Sequence, residues 1–151
     1  MKRIYIIKIF GSYKILENWV ESEEHSTRSK FFYVKQGQEQ YEMPNNISVN
    51  TGTNKYAEKE HEKFRTAILN QIAMQIGNSE DIKINANGSN TENGYIVYTF
   101  SIQEPDVETI QHYIVGDYKY VLVHETIFDN TEKEETDNVA KEIINTFKWK
   151  E

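Results

Sequence analysis

The stretch Gly94 to Phe128, GYIVYTFSIQEPDVETIQHYIVGDYKYVLVHETIF, decides how the rest of the chain is read. Tyr95, Val97, Thr99 and Ser101 alternate with Ile96, Tyr98, Phe100 and Ile102, the two-residue period that sends successive side chains to opposite faces of a pleated strand. Glu104, Pro105 and Asp106 break that run. A second β-prone run, Thr109 to Val115, meets Gly116 and Asp117, and a third extends from Tyr118 to Phe128. Gly and Asp between β-branched and aromatic runs signal a hairpin, because the favoured turns need positive φ there. The stretch is therefore a three-strand meander, and strands joined by hairpins pair antiparallel.

Working toward the N-terminus, Asn87-Gly88 and Asn93-Gly94 bracket Ser89 to Glu92, a hairpin loop leading back to a strand that starts at Ile82 and Ile84. Before it, Phe64, Ile68, Ile72 and Ile76 recur every four residues and predict a long helix with one apolar stripe. It starts near Tyr56 or Ala57, carries Glu58 and Glu60 in its first turn where the dipole favours carboxylates, and stops at Gly77 and Asn78. Earlier still, Ile4 to Ile9 reads as an edge strand, followed by strands at Tyr13 to Leu16, Phe31 to Val34 and Ile47 to Thr51. Trp19 and Val20 are apolar anchors between them, and Glu21 to Lys30 and Gln36 to Asn46 are polar loops. Beyond the meander, Val139, Ile143 and Phe147 mark a second helix, capped at Thr136 or Asp137 or, by an earlier capping box, at Thr131 with Glu134. Trp149 is expected to pack back on the sheet. The fold class is α+β: a mainly antiparallel sheet of six or more strands with one long helix and one C-terminal helix, forming a single domain over residues 1–151.

Composition removes several functions. With 24 acidic against 17 basic residues the net charge is -7, which speaks against nucleic-acid binding through clustered cations and suits a basic protein partner. The chain has no cysteine, hence no disulfide framework, thiolate metal site, lipobox or thiol nucleophile. Lys2 and Arg3 precede the apolar run Ile4 to Ile7, but Lys8 interrupts it and no small-residue cleavage site follows, so a first strand is expected instead of an export signal, and a cytoplasmic location with it. A surface lipoprotein or periplasmic domain without its leader is the alternative. No stretch approaches the roughly 20 apolar residues of a membrane helix.

The segments Gly11 to Trp19, Ile47 to Thr51 and Asn138 to Trp149, in their order around the long helix and the meander, resemble the PsbP-like superfamily, which includes the extrinsic photosystem II subunit, a Ran-binding nuclear import factor and small bacterial proteins. The resemblance implies an α/β/α sandwich around an antiparallel sheet, and protein binding more than catalysis. It carries no motif positions from which functional residues follow.

No residue pattern marks a catalytic, cofactor or metal site. His112 and His124 lie on the two arms of the Gly116-Asp117 hairpin, but if Val115 pairs with Tyr118 they point to opposite faces and share no metal. His61, between Glu60 and Glu62, lacks the second histidine of a zinc helix because position 65 is Arg65; it is expected as a solvated helix residue. Tyrosines are the more informative residues. Two helices are not expected to hide both faces of so wide a sheet, which makes Tyr95, Tyr113, Tyr118 and Tyr120 candidates for an exposed partner-binding face. The reading is a cofactor-free protein-interaction module, in its sharper form an acidic inhibitor or immunity-type protein. The alternative is a small-molecule binder or hydrolase with a pocket between the long helix and the sheet, using His112 or His124 beside an acid.

Overall fold

A computed structural model describes residues 2–77 and 82–151. Asn78, expected among the stop residues of the long helix, lies outside them. Ten strands and two α-helices follow in the order β1 (Arg3–Lys8), β2 (Gly11–Leu16), β3 (Trp19–Glu21), β4 (Lys30–Lys35), β5 (Asn46–Thr53), α1 (His61–Ile76), β6 (Lys83–Asn90), β7 (Ile96–Gln103), β8 (Glu108–Val115), β9 (Lys119–Ile127), α2 (Lys133–Thr146) and β10 (Lys148–Trp149). Seven of the strands form one antiparallel sheet in the order β3-β4-β5-β9-β8-β7-β6, and β1, β2 and β10 form a small second sheet.

The alternation read in the meander sorts its side chains between two helices. Tyr98, Phe100, Ile102, Tyr113 and Val115 pack under α1 with Phe64 and Ile72. Val97, Ile114, Val121 and Val123 face the other way, against Val139, Ala140, Ile143 and Ile144 of α2 and against Phe147. Tyr13 and Ile15 of β2, with Trp19 and Tyr33, close the edge of that second cluster. One helix on each face leaves an interior for the strand tyrosines, against the expectation that two helices would leave a face bare.

Three local readings change. Val115 pairs with Tyr120 and not with Tyr118, because the turn spans Gly116 to Lys119 with Tyr118 at φ 61°. The cause is tertiary: Tyr118 N–H donates to Tyr56 O, its own carbonyl accepts from Asn54 N–H, and Asp117 Oδ1 accepts from Glu58 N–H, so the approach to α1 clamps the turn open. A shift of two residues keeps every side chain on its expected face. Asn87-Gly88 lies inside β6, where Gly88 sits against the Tyr98 ring; the turn that follows uses Gly94 at φ 84°. The N-cap of α2 is Glu132, without a side-chain cap bond, and Asp129 caps the 3-10 turn Asn130–Glu132 before it, its carboxylate accepting from Thr131 N–H, whereas Thr136 is buried inside the helix and donates to Glu132 O. Trp149 packs on Phe147 and extends β2 through β10.

Candidate functional site

Among the described residues the most buried acid sits under α2. Glu125 on β9 points inward between Val123 and Ile127, and its Oε2 lies 2.6 Å from His112 Nε2 on β8. The other imidazole nitrogen, Nδ1, is 2.9 Å from the Thr99 hydroxyl on β7. Burial, together with the Asp137 carboxyl across from it on α2, pushes Glu125 up to about 10, while burial pulls His112 down to about 4. The pair is thus neutral: both charged forms lose hydration in this interior. One arrangement of protons satisfies the whole set. Thr99 donates to His112 Nδ1, His112 Nε2–H donates to Glu125 Oε2, and the proton on Glu125 Oε1 goes to Asp137, whose negative charge Lys133 balances from 3.4 Å. His112 has the acid partner that the catalytic alternative asked for, but it is enclosed by a packed helix and not in a cleft. Among the described residues no group of three His, Cys, Asp or Glu side chains is placed to hold a metal.

His124 faces α1. It lines a cavity of about 140 Å³ with Ile68, Gln71, Gln75, Gln111 and Leu122, and burial, followed by the nearby Lys30 charge, pulls it down to about 4. No carboxylate lines this cavity. As the register argument requires, the two histidines lie on opposite faces. His61, expected in solvent, is half-buried; its Nδ1 is 2.7 Å from Tyr98 OH and the two rings stack.

The four candidate tyrosines do not gather into one exposed face. Tyr113 is buried under α1 against Phe64, Phe100 and Tyr120. Tyr120 is half-buried and its ring lies across Gly52, where any side chain would collide with it. Tyr95 is half-buried on Phe147, and its hydroxyl accepts from Trp149 N–H. Tyr118, at the tip of the clamped turn, is 53% exposed.

The exposed apolar surface is elsewhere, on β1. Tyr5, Ile7 and Ile9 are 57%, 73% and 86% exposed, a density of bare large side chains that a monomer surface does not need. Tyr5 and Ile7 share the outer face of the small sheet and Ile9 stands in the turn that follows β1, while Ile4 and Ile6 pair with Ile15 and Tyr13 on the inner face. Charge follows the same division. Residues 1–16 and 147–151 carry Lys2, Arg3, Lys8, Lys14, Lys148 and Lys150 against Glu151 alone, a formal charge of +5, which leaves -12 on the remainder of a chain whose total is -7. Arg3 pairs with Glu142 at 2.7 Å and Lys8 with Glu21 at 3.0 Å; Lys14, Lys148 and Lys150 make no ion pair among the described residues. The net acidity read from composition conceals this basic, apolar pole. Its signal in the sequence is the run Ile4 to Ile9 between Lys2, Arg3 and Lys14, where apolar residues occupy both faces of a strand that has one core to serve.

A seven-stranded antiparallel sheet with a helix on each face, a small sheet at one side and an aromatic C-terminal segment is the PsbP-like α/β/α sandwich. The chain has this fold in common with two solved structures in particular. The Ran-binding protein Mog1p of Saccharomyces cerevisiae superposes with a TM-score of 0.62 at 11% identity, over 98% of this chain and 95% of that one. Cyanobacterial PsbP from Synechocystis superposes with a TM-score of 0.52 at 15% identity, over 99% of this chain and 92% of that one. No family model and no curated protein matches the chain by sequence. Among the described residues no helix is long and apolar enough to cross a membrane.

Proposed function

We propose that the chain is a non-catalytic protein-interaction module of the PsbP-like type, and that its contact surface is the outer face of the small sheet. The observation that carries this is the pair Tyr5 and Ile7 on that face, with Ile9 in the adjoining turn, all three exposed and set in the basic pole. Covering these side chains is favourable by roughly 25 cal/mol per Å² of apolar area removed from water. The printed description of Mog1p as Ran-binding supports a protein as the partner. Against the small-molecule alternative, the His124 cavity of about 140 Å³ falls below the roughly 300–1,000 Å³ of ordinary ligand pockets, and His112 has both ring nitrogens engaged, by Thr99 and Glu125.

The test is capture of a stoichiometric partner from native lysate by the wild type and by Ile7→Asp with Ile9→Asp. A partner held by the wild type and lost by the variant, with an unchanged melting curve, supports the reading. Retention by the variant, or no stoichiometric partner, overturns it.

The -12 remainder supports a second reading, an inhibitor or immunity-type protein that covers a basic partner with its acidic surface. Tyr118, exposed beside Asp117 and Glu58, is the member of the tyrosine set that this surface presents. Capture abolished by Tyr118→Ala and by high salt, and indifferent to Ile7→Asp, would select this reading over the first.

A further inference from the structure

We propose that the open edge of β1 takes up an extended segment of the partner, apolar at alternate positions and acidic at its ends, as a fourth strand of the small sheet; this rests on the reading that the small sheet is the contact surface.

The backbone supplies the first argument. β1 is an outer strand of the order β1-β2-β10, and the Glu17 N–H to Lys2 O bond fixes which residues face β2. In an antiparallel ladder hydrogen-bonded pairs alternate, so Lys2, Ile4, Ile6 and Lys8 direct their amides to β2, and Arg3, Tyr5 and Ile7 direct theirs to the open edge. Among the described residues no backbone group outside the sheet meets those three. The residues with unpaired amides are also those whose side chains stand on the outer face, Tyr5 and Ile7 among them. An added strand therefore gains ladder bonds and apolar cross-strand neighbours at the same positions.

Charge selects the occupant. A second copy pairing β1 antiparallel to β1 in the register centred on Tyr5 sets Lys2 opposite Lys8, and brings together two poles whose formal +5 remains about +3 each once Glu142 and Glu21, paired with Arg3 and Lys8, are counted. Like charges directly opposite destabilise a strand pair, so the edge is protected against its own copy. A strand with Asp or Glu at each end meets Lys2, beside the 57% exposed Arg3, at one end of β1; at the other, where Lys8 already holds Glu21, it meets the field of Lys148 and Lys150, which line the outer face with Tyr5 and Ile7 and make no ion pair among the described residues.

The test pans a displayed library of short random peptides against the full chain and follows amide exchange in the complex with the selected peptides. Enrichment of alternating apolar sequences with acidic ends, with new protection at Arg3, Tyr5 and Ile7 and little change at Ile4 and Ile6, is the expected result. Ile7→Pro removes an edge donor that makes no bond within the chain, and should weaken binding at least about tenfold, whereas Ile7→Val should not. Enrichment without that pattern, no enrichment, a β1-dependent dimer in sedimentation, or Ile7-dependent binding to phosphatidylserine vesicles overturns the proposal. Binding lost with Ile7→Asp but kept with Ile7→Pro, without edge protection, sinks strand addition and leaves the contact surface standing. Indifference to both variants removes both.

Discussion

The helices α1 and α2 cover opposite faces of one sheet, and they do so unequally. α2 buries Thr136, Val139, Ala140, Ile143 and Ile144, with Phe147 following, and it is tied down by polar groups as well as by packing. α1 is longer yet buries only Phe64 and Ile72, leaves Met74 84% exposed, and leaves the His124 cavity between itself and the sheet. Helix length is thus a poor guide to helix anchoring. What differs is the second support: α2 is flanked by β2 and wedged by the small sheet, and α1 has the large sheet alone.

The sharpest way to break this comparison is a matched pair of truncations. Ile143→Ala empties a site that is wholly enclosed, and should lower unfolding free energy by ~2–5 kcal/mol. Ile76→Ala, at the half-buried last turn of α1, should lower it by less than ~1.5 kcal/mol because the site is open to water and can collapse. Urea titration reads both. Equal losses would show that the two faces are anchored alike.

The polar core under α2 gives a pH-dependent counterpart. A carboxyl raised from 4.5 to about 10 on folding contributes stability that is complete below the unfolded value and lost as pH rises through the folded one. Glu125 therefore tilts stability downward with pH across that window, by up to ~1.4 kcal/mol per pH unit. Glu125→Gln has the shape of the neutral acid; its amide donates to Asp137 and its carbonyl accepts from His112. The variant should gain on the wild type steadily between about pH 7 and pH 9 in thermal melts. His112 and His124, both depressed, contribute stability that is present above their ordinary value of 6.5 and lost as pH falls through about 4, so they do not interfere in that range. A constant difference across the range would mean that Glu125 is charged in the folded protein.

Which of these features the sequence discloses follows from how local they are. The meander and the stripe of α2 are legible because period alone specifies them, and the opposed faces of His112 and His124 survive a register error because parity does. Glu125 reads as one more surface acid until the sheet turns it inward. Asn45 gives the clearest case of a residue invisible in sequence: it stands in a polar loop, yet its Oδ1 accepts from Phe128 and Asp129 N–H, both at 2.8 Å, and its Nδ2 donates to Asp129 O at 2.9 Å. That fixes the passage from β9 into α2 across 84 residues of chain. Asn45→Ala strands those buried groups and should cost ~1–3 kcal/mol, with amide exchange accelerated at Thr131 and Glu132 and not in α1.

The smallest effect belongs to α1. His61 and Tyr98 share one hydrogen bond at the first turn of the helix, in a half-buried position where water can take the place of either partner. His61→Ala should therefore lower global stability by no more than ~1 kcal/mol. Its local effect should be larger than its global one. With the N-terminal tether gone, α1 keeps only Phe64 and Ile72 as buried anchors, and a helix held by so few contacts opens by itself before the sheet does. Amide exchange in α1 should rise while that in α2 and β9 stays at the wild-type rate. A matching rise in α2 would show that the two faces unfold as one unit, and the contrast between them would be one of packing and not of cooperativity.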